Sequence, residues 1–357
     1  MFTDKWICEF FMSYSRGRYE LNQSQMENIR KQPRFTGIFN DTEGFDRRIK
    51  LSTGKIVSLD KEKVTGDLRK AANNAFNSES LTGKRVFCQD LCPLEQALAI
   101  TEAGGIPTFI DVNSDDLCMD PECLEQAFLL YPDTKIVAMN NMYGIHGQGK
   151  EIKRICDEHG AELIISDAFS VDNNEISADQ ATKLSQIHET YLENLNDEFV
   201  YLIEPECDYE ESDEMATYPA NIVMCDSSVK PIQTRNPDGT YSYENIHGTA
   251  SPMEIVDALG AFGIEAAPIC RPMSMLPRFT GHSFITLDGE LEISDSQDAL
   301  DKDRMFVSKF SNDLYMQALL LPSDISMTKE EQMKIIDIVH ACFSSENVER
   351  QLFCFMN

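Results

Sequence analysis

Apolar stretches and amphipathic stretches alternate along the middle of the chain. Short apolar runs typical of strands cover 85–89, 107–112, 135–139 and 162–167. Segments with helical spacing separate them, at 93–105, 120–131 and 149–160. Strands that alternate with helices are typical of βαβ units, which form a parallel sheet with right-handed crossovers. The pattern therefore predicts an α/β fold.

Local start and stop signals support these helices. Asp120 directly precedes Pro121, which is the order of an N-cap and a first helical residue. Gly160 follows the third segment, and a glycine in that place commonly ends a helix.

The pattern changes beyond residue 175. A long amphipathic helix is predicted over 177–195, and Thr328 and Glu331 have capping-box spacing at the start of a terminal helix over 328–343. The seven acids between Glu204 and Glu214 predict a solvated loop. Between these features we predict strands at 220–225 and 264–269 and a helix at 251–263, which together indicate a smaller α+β domain. The predicted division is therefore an unassigned segment 1–60, a large domain 61–176, and a long helix with a small domain over 177–357.

Charge and cysteine content narrow the functional classes. The 357 residues carry a formal net charge of −29, which argues against binding to nucleic acid or to an anionic membrane surface. No apolar run is long enough for a transmembrane helix, and "WICEFFM" at 6–12 does not resemble a signal peptide. The 11 cysteines are odd in number and scattered, which predicts reduced thiols in a cytoplasm, and their spacing does not favour a zinc site.

One acidic residue lies at the end of a predicted strand. "AELIISDAFS" (161–170) is predicted as a buried strand that ends at Asp167. Ligands of open α/β sheets bind at the carboxyl ends of the strands, so Asp167 is either a ligand contact or the cap of the next turn.

Longer stretches resemble a known family. "VFCQDLCPLEQALAITEAGGIPTFIDV" (86–112), "KIVAMNNMYGIHGQGKEIKRICDEHGAELIISDA" (135–168) and "GIEAAPICRPMSMLPRF" (263–279) are similar, in this order, to DegT/DnrJ-type sugar aminotransferases. The resemblance implies a fold-type-I sheet, pyridoxal 5′-phosphate (PLP) as cofactor, and nucleotide-linked keto-sugars as substrates. It also implies that Asp167 lies beside the PLP ring nitrogen, that Thr65 and Gly66 bind the phosphate, and that Arg271 and Met273 line the sugar-nucleotide side. Sites of this family form at a dimer interface, so a homodimer or a heteromer is implied.

The sequence departs from the family where the catalytic lysine is expected. That lysine forms the Schiff base and moves the proton. Here the segment after Asp167 matches the family's later helix, and Lys183 is the only lysine between Asp167 and Lys230. Asp67 also falls in the expected phosphate turn, where a carboxylate repels phosphate. Phe169 replaces a small residue, and its size predicts that it fills space that the cofactor would occupy.

Two hypotheses follow. The first is a catalytically degenerate member with a truncated large domain, acting as a binding subunit for a nucleotide sugar or as the heteromeric partner of an intact aminotransferase. The alternative is an active transaminase that transfers an amino group from an amino acid to a keto-sugar through Lys183 or an unrecognised lysine.

Overall fold

The fold was obtained as a computed structural model. It describes residues 23–36, 48–52, 59–113, 116–169, 171–172, 176–204, 217–218, 220–225, 233–235, 241–243, 250–293, 310–343 and 350–352. Its helices are α1 Gln23–Arg30, α2 Pro33–Thr36, α3 Lys61–Phe76, α4 Leu94–Glu102, α5 Pro121–Leu130, α6 Gly149–His159, α7 Ala178–Asn194, α8 Pro252–Ala261, α9 Phe310–Gln317 and α10 Lys329–Phe343. Its strands are β1 Arg85–Gln89, β2 Ile106–Ile110, β3 Ile136–Met142, β4 Glu162–Ala168, β5 Val171–Asp172, β6 Val200–Leu202, β7 Thr217–Tyr218, β8 Asn221–Cys225, β9 Gln233–Arg235, β10 Tyr241–Tyr243, β11 Ala267–Pro268, β12 Ser283–Thr286, β13 Gly289–Glu292, β14 Ala318–Leu321 and β15 Arg350–Leu352.

The large sheet has six strands in the order β13-β12-β2-β1-β3-β4. All neighbours in it are parallel except β12 and β13, which form an antiparallel hairpin. The predicted α/β class and parallel sheet are confirmed. Because side chains alternate between the two faces of a strand, even-numbered residues of β1 and β3 pack under α3 and α4, and odd-numbered ones pack under α5 and α6.

Three predicted helix ends are confirmed by their local capping interactions. The carboxylate of Asp120 accepts hydrogen bonds from the amides of Glu122 and Cys123 and caps α5. Gly160 has the left-handed φ of 59° that a helix end of this kind requires. Thr328 and Glu331 bond reciprocally at the start of α10, so this predicted capping box is also confirmed.

The second core surrounds a four-stranded antiparallel sheet in the order β11-β14-β8-β6. Helices α7, α8 and α10 contribute buried side chains to it. The short helices α1 and α2, from the segment left unassigned in the sequence, also pack on this core. Phe35 is buried there and meets Phe262 edge-to-face, with 5.9 Å between the ring centroids.

Two segments cross the predicted domain boundaries. The hairpin β12–β13 comes from the C-terminal part of the chain and pairs with β2 in the large sheet. Helices α1 and α2 belong to the core of the C-terminal part. The predicted strand at 264–269 is reduced to β11, and the acidic stretch 204–214 lies, except for Glu204, outside the described residues. In the described part of the chain, no helix is long and apolar enough to cross a membrane.

Strand β4 is not the buried strand that its sequence predicted. It pairs with β3 along its whole length, and no other described strand pairs with its outer edge. Ile165, in the middle of the apolar run, is 46% exposed. Apolarity alone cannot distinguish a central strand from an edge strand, because the position depends on which other strands are present.

Candidate functional site

Polar side chains collect where the parallel strands of the large sheet end. Asp90 and Asp111 follow β1 and β2 directly. Asn141 and Asp167 are the last residues but one of β3 and β4. Asp90, Asp111 and Asn141 are buried, and Asp167 is half-buried. The carboxyl edge of the sheet therefore carries the polar group that a ligand site of this fold class requires.

The carboxylate of Asp167 is held by its neighbour on β3. Asn141 Nδ2 donates a hydrogen bond to Asp167 Oδ1 at 2.9 Å, across the pair that the strand register places side by side. His146, in the loop before α6, faces the same carboxylate. Burial lowers the pKa of His146, and the negative charge of Asp167 opposes that shift. Asp167 thus has an ordered amide partner and a neighbouring imidazole.

Two aromatic residues with an uncommon backbone conformation cover the ends of β3 and β4. Tyr143 and Phe169 have positive φ angles of 58° and 57°, a conformation that costs energy in residues other than glycine. Their rings stack with 5.6 Å between the centroids. The Tyr143 hydroxyl accepts a 2.6 Å hydrogen bond from the Cys270 amide. Phe169 therefore packs over the strand ends next to Asp167. The size of its side chain was the basis for predicting that it fills space that a cofactor would occupy.

Asp90 and Asp111 bind the C-terminal part of the chain rather than projecting into solvent. Asp90 accepts hydrogen bonds from the Ser274 amide and hydroxyl, both at 2.7 Å, and from the Ser311 hydroxyl at 2.6 Å. Asp111 accepts from the amides of Phe310 and Ser311, each at 2.9 Å, at the start of α9. Burial is the main cause that raises the pKa of Asp90 to about 6 and of Asp111 to about 7.

Arg271 and Met273 lie on the segment that Asp90 holds. Met273 is buried, and its amide donates to the Asp90 carbonyl at 3.0 Å. Arg271 is half-buried, its Nε is buried without a hydrogen-bond partner, and no described carboxylate pairs with it. A buried donor without an acceptor is costly, so Arg271 is the candidate in this region for an anionic ligand.

Thr65 and Gly66 do not occupy the helix start that the sequence predicted. Helix α3 begins at Lys61 and is capped by Asp60, so both residues lie in its second turn. Their amides belong to the helical hydrogen-bond ladder, and the Thr65 hydroxyl donates to the Lys61 carbonyl at 2.8 Å. The geometry therefore corrects the predicted phosphate turn, because amides used within a helix cannot also bind a phosphate.

Lys183 lies on a helix of the second core and not on the large sheet that carries the strand-end residues. It is exposed on α7, a helix that contacts α10 and β6 of the second core. Lys230 lies outside the described residues. A Schiff-base lysine is typically desolvated or placed beside another cation, and Lys183 has the surroundings of a solvated helix residue.

Sequence reasoning missed three residues of this edge. Asp90 and Asp111 each follow a predicted strand directly, so the signal that singled out Asp167 was present at both. Asn141 lies inside the apolar continuation of β3, and only the register with β4 identifies it as the partner of Asp167.

The cysteines do not form a metal centre in the described residues. No group of three or more histidine, cysteine or acidic side chains there could hold a metal ion. Cys88 Sγ and Cys92 Sγ are 3.8 Å apart, and the eight described cysteines are free thiols.

Comparison with known proteins shows a similarity to one family of aminotransferases. The sequence model of the DegT/DnrJ/EryC1/StrS aminotransferase family matches residues 90–171, which include β2, β3, β4 and Asp167. This part of the chain is therefore similar to that family. EpsN of Bacillus subtilis, named for pyridoxal phosphate-dependent aminotransferase activity, is 21% identical over 326 residues, which cover 75% of this chain and 80% of EpsN.

Two further proteins agree with this relationship. The 3-oxo-glucose-6-phosphate:glutamate aminotransferase of Bacillus subtilis is 30% identical over 66 residues, which are 18% of this chain and only 14% of that relative's length. The crystal structure of DesI with its TDP-sugar product superposes with a TM-score of 0.53 at 13% identity, covering 86% of this chain and 96% of that one. At that identity the superposition supports the fold alone, and the fold is that of the sugar aminotransferases.

The described residues do not form a complete PLP site. Asp167 lies at the end of β4, where the family resemblance implies the carboxylate beside the ring nitrogen. The expected phosphate turn is the interior of α3, and Lys183 is exposed on α7. Phe169 packs on Tyr143 over the strand ends.

Proposed function

We propose that this chain is a non-catalytic relative of the sugar aminotransferases that binds a nucleotide-linked sugar. The observation that carries the proposal is the mismatch at the strand ends, where Asp167 is retained without a desolvated lysine among the described residues. Loss of the Schiff base and of its proton transfer removes two compounding contributions to rate. The hydrogen bonds of Asn141, Asp90 and Asp111 at the carboxyl edge involve no lysine among the described residues.

The alternative, an active PLP-dependent transaminase, predicts a covalent adduct. We expect that addition of PLP to the purified chain gives no absorbance band of an internal aldimine. We also expect that borohydride treatment fixes no cofactor to Lys183, because this lysine is exposed on α7, whereas a Schiff-base lysine is typically desolvated or placed beside another cation. Lys183→Ala is the matched control and should give the same spectrum. A band that borohydride makes permanent, on Lys183 or on another lysine located by mass spectrometry, would contradict the non-catalytic proposal.

Arg271 supports an anionic ligand in this proposal. Its buried Nε has no acceptor among the described residues, and a planar guanidinium matches the oxygens of a diphosphate. We expect Arg271→Ala to weaken binding of dTDP-glucose, used as the probe, by about 10- to 100-fold, as expected for a charge-assisted hydrogen bond of about 1.5 to 3 kcal/mol. Isothermal titration calorimetry measures this. The exposed Arg154→Ala is the control, and equal affinities of the two variants would remove Arg271 from the site.

The outer edge of β4, with which no other described strand pairs, supports a further part of the proposal, a partner subunit. An unpaired strand edge offers backbone donors and acceptors to another chain, and Ile165 adds exposed apolar surface there. We propose that a second copy or an intact aminotransferase covers this edge in a cytoplasmic complex. Sedimentation of the chain alone and with a co-purified aminotransferase distinguishes the two, and a strict monomer under both conditions would contradict either.

A further inference from the structure

The carboxylates of Asp90 and Asp111 meet at one residue of α9. Ser311 donates its hydroxyl to Asp90 Oδ2 at 2.6 Å and its amide to Asp111 Oδ1 at 2.9 Å. Asp90 is also bonded twice by Ser274, and Asp111 by the Phe310 amide. Two acids at the ends of β1 and β2 thus fasten both the 273–275 turn and the start of α9 to the sheet.

This arrangement is unusual because the acids are buried and no cationic side chain among the described residues bonds to them. Asp90 and Asp111 are 0% and 1% exposed, and every group in the described part of the chain that donates a hydrogen bond to their carboxylates is a hydroxyl or an amide. Buried carboxylates normally pair with a positive charge or give up their own. The start of α9 supplies only the partial positive charge of a helix N-terminus.

The neighbouring titratable groups do not supply a counter-charge. Those that interact electrostatically with one or both acids are Cys92, Cys123 and Cys270. Burial raises the pKa of all three thiols, so they stay neutral near pH 7. The remaining acids facing these thiols, from β2–α5 and from α4, are Asp120, Glu122 and Glu95. Asp90 and Asp111 are therefore the groups of this cluster that change charge near neutrality.

We propose that Asp90 and Asp111 form a pH-sensitive latch, which holds α9 and the 273–275 turn on the sheet in mildly acidic solution and loosens when both acids ionise. With one or both acids protonated, the cluster carries at most one buried negative charge, and six donors, which include the Val112 amide, can stabilise it. When both are ionised, two like charges share Ser311 in a region of low dielectric, and their repulsion opposes closure.

The direction of the pH effect follows from proton linkage. An unfolded aspartate has a pKa of about 4. The folded values are about 6 and about 7, so between pH 4 and pH 7 the folded state binds more protons than the unfolded state. The latch therefore contributes its full stability below about pH 4 and loses it as the pH rises through 6 and 7. This inference does not depend on what the chain binds.

Hydrogen exchange of the intact chain tests the latch. After correction for the intrinsic exchange rate, we expect protection of the peptides covering 270–276 and 310–317 to fall at least about tenfold between pH 5 and pH 8, the change in equilibrium constant for one unit of pKa difference. Peptides of α6, on the other side of the sheet, should not change. Asp90→Asn/Asp111→Asn should abolish the pH dependence, and the exposed Asp133→Asn should retain it.

A second variant keeps the test informative if the double substitution fails to fold. Ser311→Ala removes a hydrogen bond that lowers the pKa of Asp90, so its loss of protection should begin at a higher pH than in the unmodified chain. Protection that is independent of pH in the unmodified chain would overturn the proposal. An unchanged midpoint in Ser311→Ala, or a pH dependence that persists in the double variant, would also overturn it.

Discussion

Replacement of Arg34 by alanine is expected to lower the free energy of unfolding by about 3 to 5 kcal/mol, the usual cost of removing one partner of a buried ion pair. Arg34 Nη1 lies 3.0 Å from Glu254 Oε1, and the two side chains are 7% and 4% exposed. The same nitrogen donates to the Cys342 carbonyl at 3.1 Å, and the guanidinium stacks over Phe35. The substitution therefore removes the arginine that neutralises a buried carboxylate and detaches α2 from α8 and α10.

Urea unfolding followed by circular dichroism measures this effect, with two controls. Arg154 makes several ion pairs on the exposed surface of α6, and Arg154→Ala should leave stability nearly unchanged because solvent screens such pairs. Arg34→Met/Glu254→Leu should recover much of the lost stability, since it removes both charges and fills the space. If Arg34→Ala costs no more than Arg154→Ala, the N-terminal helices do not pack as described.

Replacement of Gly147 by alanine is expected to destabilise the chain by about 1 to 3 kcal/mol, the usual cost of overpacking a filled site. A Cβ at this position would lie 2.3 Å from Cys118 Cβ and 3.0 Å from Asp116 Oδ2, so the loop before α6 must move. Because His146 is the preceding residue, the same movement should change its pKa, which Asp167 influences. Urea unfolding and an NMR titration of His146 measure the two effects.

Gly66→Ala is the matched control for the same glycine-to-alanine change. Gly66 is exposed in α3, and nothing lies within 4 Å of an added Cβ. This variant should gain about 0.5 to 1 kcal/mol, because alanine favours the helix more than glycine does. A gain at both positions would show that Gly147 is not packed against Cys118.

The sequence predicted the elements of the large sheet because their signals are local. Asp120 caps α5 through bonds to amides two and three residues away, and Gly160 ends α6 by its own backbone conformation. The expected helix start at Thr65 differs from the structure, in which α3 begins at Lys61 because a local cap precedes it. Asp60 caps α3 five residues before Thr65, and its carboxylate accepts a hydrogen bond from the Glu62 amide.

The candidate site was predicted only in part. Asp167 was identified because a strand end is visible in the sequence. Its partner Asn141, the paired acids Asp90 and Asp111, and the serines that bind them come from segments up to 221 residues apart. No local pattern joins such residues, because their proximity is created by the strand order and by the return of the chain at α9.

By itself, therefore, the sequence determined the alternation of strands and helices, the family relationship, and the presence of a carboxylate at the end of β4. Hydrophobic period and capping chemistry act over a few residues, so they can be read without the fold. Only the tertiary structure decided three features of the described part of the chain: β4 is an edge strand, β12 and β13 complete the sheet, and Asp90 and Asp111 are buried without a bonded cation. Burial and pairing depend on distant segments, and the free energy of a charge depends on both.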